Sequence, residues 1–380
     1  MNWLSTIPCR ICSLVIVVST VFHNSLFAEW HWREPGNSKG NMAEGYRTGV
    51  VGARGQEYYF KDTSNRLQKF HRYLWKAGQV VWGSDPFGPS STSGLPPAQA
   101  NVSDWLAYHP SQVGGSDVIY YQGLDQHLWA FYQDNQYQLS SIPNIAGDIV
   151  VNTRLNIVFY RGTDDGIYAI YWEGDKWIQT PIGSLKNAGG AFAIDSNRHY
   201  IYYRGTDRRL WILFWNGSAW AQALLGSLGN VDQPVTTDSA NLITYYRSWQ
   251  DSSIWAVYWG GSSWIQTQLD ASAWTHSSAS GGAIFDSNES WGGIWNWNYT
   301  YPMSSTGGGL PPPLPPGNRM LYIDRDGRLE EEVFMGTHWG HRWIGTGVYG
   351  LTSGLSVGKE TGWIFARRSD GEVIVFYWDQ

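Results

Sequence analysis

A repeated spacing limits this chain more than any single motif does. With the apolar residue that opens a presumed third strand as reference, copies register at Leu67, Leu128, Ile167, Leu210, Ile254, Leu329 and Val373. Before each reference residue stands an apolar and aromatic run, such as Val158-Phe159-Tyr160, Ile201-Tyr202-Tyr203 and Thr244-Tyr245-Tyr246. Three residues before it stands Asp125, Asp164, Asp207, Asp251, Asp326 or Asp370, with Ser64 in the first copy. Five residues after it come Trp172, Trp215, Trp259, Phe334 and Trp378, and ten after it Trp177, Trp220, Trp264 and Trp339. Short β-branched and aromatic runs divided by Gly, Asn, Asp and Ser turns read as meanders of four short antiparallel strands. One such sheet cannot cover both its faces, so the copies must pack on one another.

Two stretches break the period. Gly281 to Asn288 echoes Gly189 to Asn197, but the partner strand resumes only near Asn318, so 289–317, with its run Pro311-Pro312-Pro313-Leu314-Pro315-Pro316, reads as an insertion within one copy. A second insertion is read at about 79–100, where Pro86, Pro89, Pro96 and Pro97 lie among serines and glycines. Both have the composition of surface loops. The seventh copy stops at Gln380, short of its outer strand, and Glu29-Trp30-His31-Trp32 at the other end supplies a matching segment. The expected fold is therefore all-β: a seven-bladed β-propeller of four-stranded antiparallel blades, the last blade closed by the N-terminal strand.

Residues 1–28 read as a signal peptide. One positive charge lies before Cys12, Ile11 to Phe22 is mostly apolar, and Ser25-Leu26-Phe27-Ala28 ends in a small residue. The apolar run is short for a bilayer. The expected mature unit is 29–380, secreted, and without cysteine, because Cys9 and Cys12 are the only two. It would be held by burial of its aromatic residues, among them 23 Tyr and every Trp of the chain's 24 except Trp3, and not by disulfides. A formal charge of −6 without a Lys/Arg cluster argues against nucleic acid and anionic membranes as partners.

Arg161, Arg204, Arg247 and Arg367 end the second strand of their copies. Two readings stay open for them: pairing with the turn aspartate three residues on, or bidentate donation to vicinal sugar hydroxyls at the mouth between sheets. The aspartates are expected to accept backbone amides of their own hairpins. The tryptophans five after the reference are read as core; those ten after it, Trp177, Trp220, Trp264 and Trp339, as exposed faces suited to the C–H surface of a pyranose.

The segments VFYRGTDDGIYAIYWEGDKW and IYYRGTDRRLWILFWNGSAW resemble the repeats of bacterial and fungal β-propeller lectins, the fucose-binding lectin group and its seven-bladed relatives. The resemblance implies a host-directed or secreted lectin with sugar pockets repeated between adjacent blades. The arginine and glutamate that the fucose lectins use map together only in the sixth copy, onto Arg319 and Glu331, with Trp339 or Trp343 as platform. An ordinary cross-strand ion pair is the alternative there. No sialidase box, zinc motif or nucleophile elbow is present. The sequence thus points to a non-catalytic glycan-binding protein with no metal or cofactor; a protein-interaction propeller and, more remotely, a propeller glycosidase are the alternatives.

Overall fold

The computed structural model describes residues 30–33, 49–51, 57–65, 67–74, 80–86, 102–109, 118–132, 135–238, 242–269, 284–285, 319–324, 326–334, 339–344, 348–357 and 364–378. The expected signal peptide and the insertion at 289–317 lie outside the described residues. Every element described is a strand or a turn, and no helix occurs among the described residues.

Strand β1 (Trp30–Arg33) comes first. One sheet then holds β2 (Gly49–Val51), β3 (Glu57–Lys61), β4 (Leu67–Leu74) and β5 (Val80–Pro86), and the next β6 (Val102–His109), β7 (Val118–Gly123), β8 (Leu128–Tyr132) and β9 (Asn135–Gln138). The third comprises β10 (Ile145–Asn152), β11 (Ile157–Gly162), β12 (Ile167–Glu173) and β13 (Lys176–Ile182); the fourth β14 (Ala188–Asp195), β15 (Tyr200–Gly205), β16 (Leu210–Trp215) and β17 (Trp220–Leu224). The fifth contains β18 (Val231–Asp238), β19 (Ile243–Ser248), β20 (Ile254–Trp259) and β21 (Trp264–Gln268), and the sixth β22 (Ile284–Phe285), β23 (Arg319–Ile323), β24 (Leu329–Phe334) and β25 (Trp339–Ile344). In the last, β26 (Leu351–Val357), β27 (Ile364–Arg368) and β28 (Val373–Trp378) are joined by β1, whose Trp30 lies opposite Trp378. These are antiparallel meanders, and the architecture is a β-propeller.

The insertion read at 79–100 begins too early. Val80–Pro86 forms β5, paired from Gln68↔Pro86 to Leu74↔Val80. The prolines and serines hid this strand, but Pro86 stands at its end on an edge, where no ladder hydrogen bond is lost.

Each sheet is apolar on both faces because each face meets a neighbour. Tyr59 and Leu67 of the first sheet pack on Leu106, Ile119 and Phe131 of the second. Leu128 and Ala130 meet Ile149, Val158 and Tyr160 of the third, and Phe159 and Ile167 meet Phe192, Ile201 and Tyr203 of the fourth. The pattern continues through Tyr202, Leu210 and Val257, through Tyr245 and Tyr322, and through Ile323, Leu329, Ile364 and Ile374. Tyr58 stacks on Phe365 at 4.8 Å and 4°, which joins the first sheet to the last. Full burial of one such aromatic or aliphatic side chain contributes roughly 1.5–3 kcal/mol, so the stability resides between the sheets.

Candidate functional site

Three outer hairpins carry the same pair of tryptophans. Trp172 lies opposite Trp177, Trp215 opposite Trp220 and Trp259 opposite Trp264. The rings meet edge to face, with centroids 5.3, 5.9 and 5.5 Å apart at 75°, 70° and 70°. Such pairs contribute about 0.5–1.5 kcal/mol beyond area burial, which explains them as hairpin clasps. That role leaves their exposure unexplained. Trp172, Trp215 and Trp259 remain 54%, 49% and 48% exposed.

The exposures invert the sequence expectation. Trp172, Trp215 and Trp259, five after the reference and read as core, are the exposed ones, while the side chain of Trp378 lies outside the described residues. Trp177, Trp220 and Trp264, read as exposed, are partly buried: Trp177 packs against the core cluster that includes Leu128 and Ala130 of the preceding sheet, Trp220 against Phe159, and Trp264 against the cluster that includes Tyr202 and Ile212. The cross-strand partners share one sheet face, and the residue on the outermost strand tucks inward beneath its partner. In each pair one indole is therefore exposed at the outer hairpin and the other is packed against the core between sheets.

The arginines sit elsewhere. Arg161 lies opposite Ile167, the first residue of β12, whereas Trp172 is five residues further along. At about 3.3 Å per residue that separates them by about 17 Å, so the arginines and tryptophans do not converge on one sugar ring. Nor does the turn aspartate three residues on hold Arg161. Its Nε donates to Asp148 Oδ2 at 2.9 Å, its Nη2 to the Ala146 carbonyl at 2.9 Å, and its Nη1 approaches Asp165 at 3.4 Å. Arg204 donates to the Gly189 carbonyl and lies 3.6 Å from Asp232; Arg247 is ion-paired to that same Asp232. Arg367 donates to Thr352 Oγ1 at 2.8 Å.

The partner lies 13 to 15 residues upstream because the innermost strand bulges there. Register shifts break the pairing of β10 at Gly147, of β14 at Gly190, of β18 between Val231 and Val235, and of β26 at Ser353. Gly147 and Gly190 take φ of 115° and 119°, and a bulged backbone exposes carbonyls that a guanidinium can satisfy. Asp148, fully buried, also accepts the Ala191 amide of the next sheet at 2.7 Å. Arg204 reaches Asp232 of the next sheet and Arg161 is tied to the next sheet through Asp148, whereas Arg247 and Arg367 brace the bulge of their own sheets. The turn aspartates do accept their hairpin amides: His127 to Asp125 at 3.1 Å, Gly166 to Asp164 at 3.1 Å, and Arg209 to Asp207 at 3.0 Å.

A recurring network escaped the sequence reading. Tyr203 Oη donates to Asn187 Oδ1 at 3.1 Å, Gln222 Nε2 donates to Tyr203 Oη at 2.7 Å, and Gln222 Oε1 accepts the Leu185 amide at 2.7 Å. Tyr160, Asn144 and Gln179 repeat it in the third sheet, and Tyr246, Asn230 and Gln266 in the fifth. Burial pushes the Tyr203 hydroxyl up to about 12, the bonds to Gln222 and Asn187 opposing the shift. These phenols are neutral struts of the inter-sheet loops.

In the sixth sheet Glu331 is fully buried, so the glutamate carried over from the fucose lectins offers no surface to a ligand. The register sets it opposite Leu321 and Arg342, while Arg319 faces Val333, so the two residues are diagonal, not directly paired. The side chains of Arg319 and Trp339 lie outside the described residues. Arg328 lies over Trp343 at 4.8 Å and Tyr349 at 5.3 Å. Glu330 accepts Tyr322 Oη at 3.2 Å, and burial, then the adjacent Asp324 carboxyl, raises Glu330 to about 8. A second guanidinium–indole contact joins Arg208 to Trp249 at 4.3 Å between the fourth and fifth sheets. Among the described residues no cluster of three or more His, Cys, Asp or Glu could hold a metal.

No protein-family model matches the chain, and no curated protein matches it in sequence. Solved structures do. The β-propeller domain of Cps50 (Swd1) from Myceliophteria thermophila is 10% identical over 88% of this chain and 98% of that one, with a TM-score of 0.51. AofleA from Arthrobotrys oligospora is 15% identical over 84% of this chain and 91% of that one, with a TM-score of 0.44. At these identities the likeness is one of fold alone.

Proposed function

We propose that the chain is an exported, non-catalytic glycan-binding protein whose seven sheets close into one ring, fastened by β1 in the last sheet. Closure is supported by the pairing of Trp30 with Trp378 and by the Tyr58–Phe365 stack. The function rests on one observation: half-exposed indoles at the same rung of three consecutive outer hairpins. Apolar surface of that size, held rigid by an edge-on partner at each site, suits the C–H face of a sugar ring. Each contact alone is weak, and repetition supplies useful strength.

Trp172, Trp215 and Trp259 are the platforms in this reading, with Trp177, Trp220 and Trp264 as their inner walls. Arg161, Arg204 and Arg247 keep the scaffold. A glycan array probed with the mature chain should show saccharide binding that the triple change Trp172→Ala, Trp215→Ala and Trp259→Ala abolishes while circular dichroism stays native. Undiminished binding by the triple variant would refute the platforms.

A further inference from the structure

We infer that these indoles form a single track for one extended, neutral polysaccharide chain, a flat ribbon of equatorially substituted pyranoses, and not three separate monosaccharide pockets. The inference rests on the reading that they stack on sugars, and it specifies which sugars.

The first support is the openness of the hairpin tips. Just beyond the three platforms stand Gly174, Gly217 and Gly261, and a Cβ built on any of them meets nothing within 4 Å. A pocket that recognises one terminal sugar needs a wall and convergent polar groups around the ring. Here the side beyond the hairpin tip is open, and Asn216 Oδ1 of the middle hairpin is already engaged: it accepts the Ser218 amide at 3.0 Å and the Ala219 amide at 2.9 Å.

The second support is the geometry of repetition. All three platforms occupy the same rung of β12, β16 and β20 in adjacent sheets. Packed sheets stand roughly 10 Å apart face to face and further apart at the outer hairpins of a propeller, so a polymer spans two platforms and one pyranose ring does not. A chain that reaches two platforms converts the second contact into an intramolecular one, which offsets the weakness of each.

Charge selects the chain type. The exposed residues at the tips are Glu173, Asp175 and Lys176 in the third sheet, Asn216 and Ser218 in the fourth, and Ser262 and Ser263 in the fifth. Their formal sum is −1, which disfavours sulfated or uronic chains and leaves neutral ones. A β-1,4-linked ribbon of equatorial sugars presents flat C–H faces at successive units, as a row of indoles requires.

The test is calorimetric titration of the mature chain with β-1,4-linked gluco-oligosaccharides from the monomer to the octamer. The track predicts an association constant at least about tenfold higher for the octamer than for the monomer, with one octamer bound per protein. Trp215→Ala, which removes the middle platform, should flatten that length dependence more than Trp172→Ala does, and Trp215→Tyr should restore most of it. Equal affinity for monomer and octamer, or array binding confined to terminal sugars of branched glycans, overturns the track and leaves the glycan-binding reading standing. Absence of binding to every saccharide on the array, with the fold intact, overturns both.

Discussion

Replacing Asp148 separates the latch role of Arg161 from any part in binding. Its side chain is buried, with Oδ2 on Arg161 Nε at 2.9 Å and Oδ1 on the Ala191 amide at 2.7 Å. Removing one partner of a fully buried ion pair costs about 3–5 kcal/mol. Arg161 is 23% exposed and keeps the Ala146 carbonyl, so the loss here is smaller, about 2 kcal/mol. The abandoned Ala191 amide adds about 1 kcal/mol. Asp148 also adopts φ of 56°, which alanine tolerates less well than aspartate, and this brings Asp148→Ala to about 3–4 kcal/mol. Asp148→Asn keeps much of the backbone preference and should cost about 2 kcal/mol. Urea titration of both variants at fixed ionic strength measures the losses, and saccharide titration alongside should show unchanged affinity. A loss under about 1 kcal/mol for Asp148→Ala, or weakened binding at native stability, would refute the argument.

The other contacts give sharper local tests. Gln222→Leu removes the brace between Tyr203, Asn187 and the Leu185 amide; it should cost about 1–2 kcal/mol and speed hydrogen exchange at Leu185 without changing distant sheets. Gly189→Ala would set a Cβ 2.6 Å from the Gly205 carbonyl oxygen, so the backbone must shift, at about 2–3 kcal/mol on thermal unfolding. Glu330 holds a proton in the fold up to about pH 8 that the unfolded chain releases near its ordinary 4.5. Its contribution to stability is therefore full below 4.5, falls as pH rises towards 8 and levels off above. Glu330→Gln should flatten that part of a pH series of urea midpoints, and an unchanged slope would contradict it.

Much of this architecture was legible from offsets, because side-chain period and turn chemistry are local. Asp125, Asp164, Asp207, Asp251 and Asp370, three before their reference residues, marked their hairpins correctly, since an Asx acceptor acts within two residues. The Arg did not reveal its partner, because Asp148 and Asp232 lie across a bulge that no short-range pattern announces. Trp172 and Trp177 share a face of one hairpin, and only packing decides which tucks against the core. The glutamines at Gln179, Gln222 and Gln266 recur 12 residues after Ile167, Leu210 and Ile254. That offset was visible, but its chemistry depends on a tyrosine two strands away. Glu331 was singled out by resemblance alone, which carries no information on burial, whereas Leu329, Glu330 and Glu331 of β24 are all buried.

Hydroxyl-radical footprinting with mass spectrometry, run with and without a bound saccharide, tests the central claim most directly. Oxidation at Trp172, Trp215 and Trp259 should fall on binding, while the buried Trp129 serves as an unchanged internal reference. Equal oxidation of those three indoles in the free and saturated protein would contradict the account.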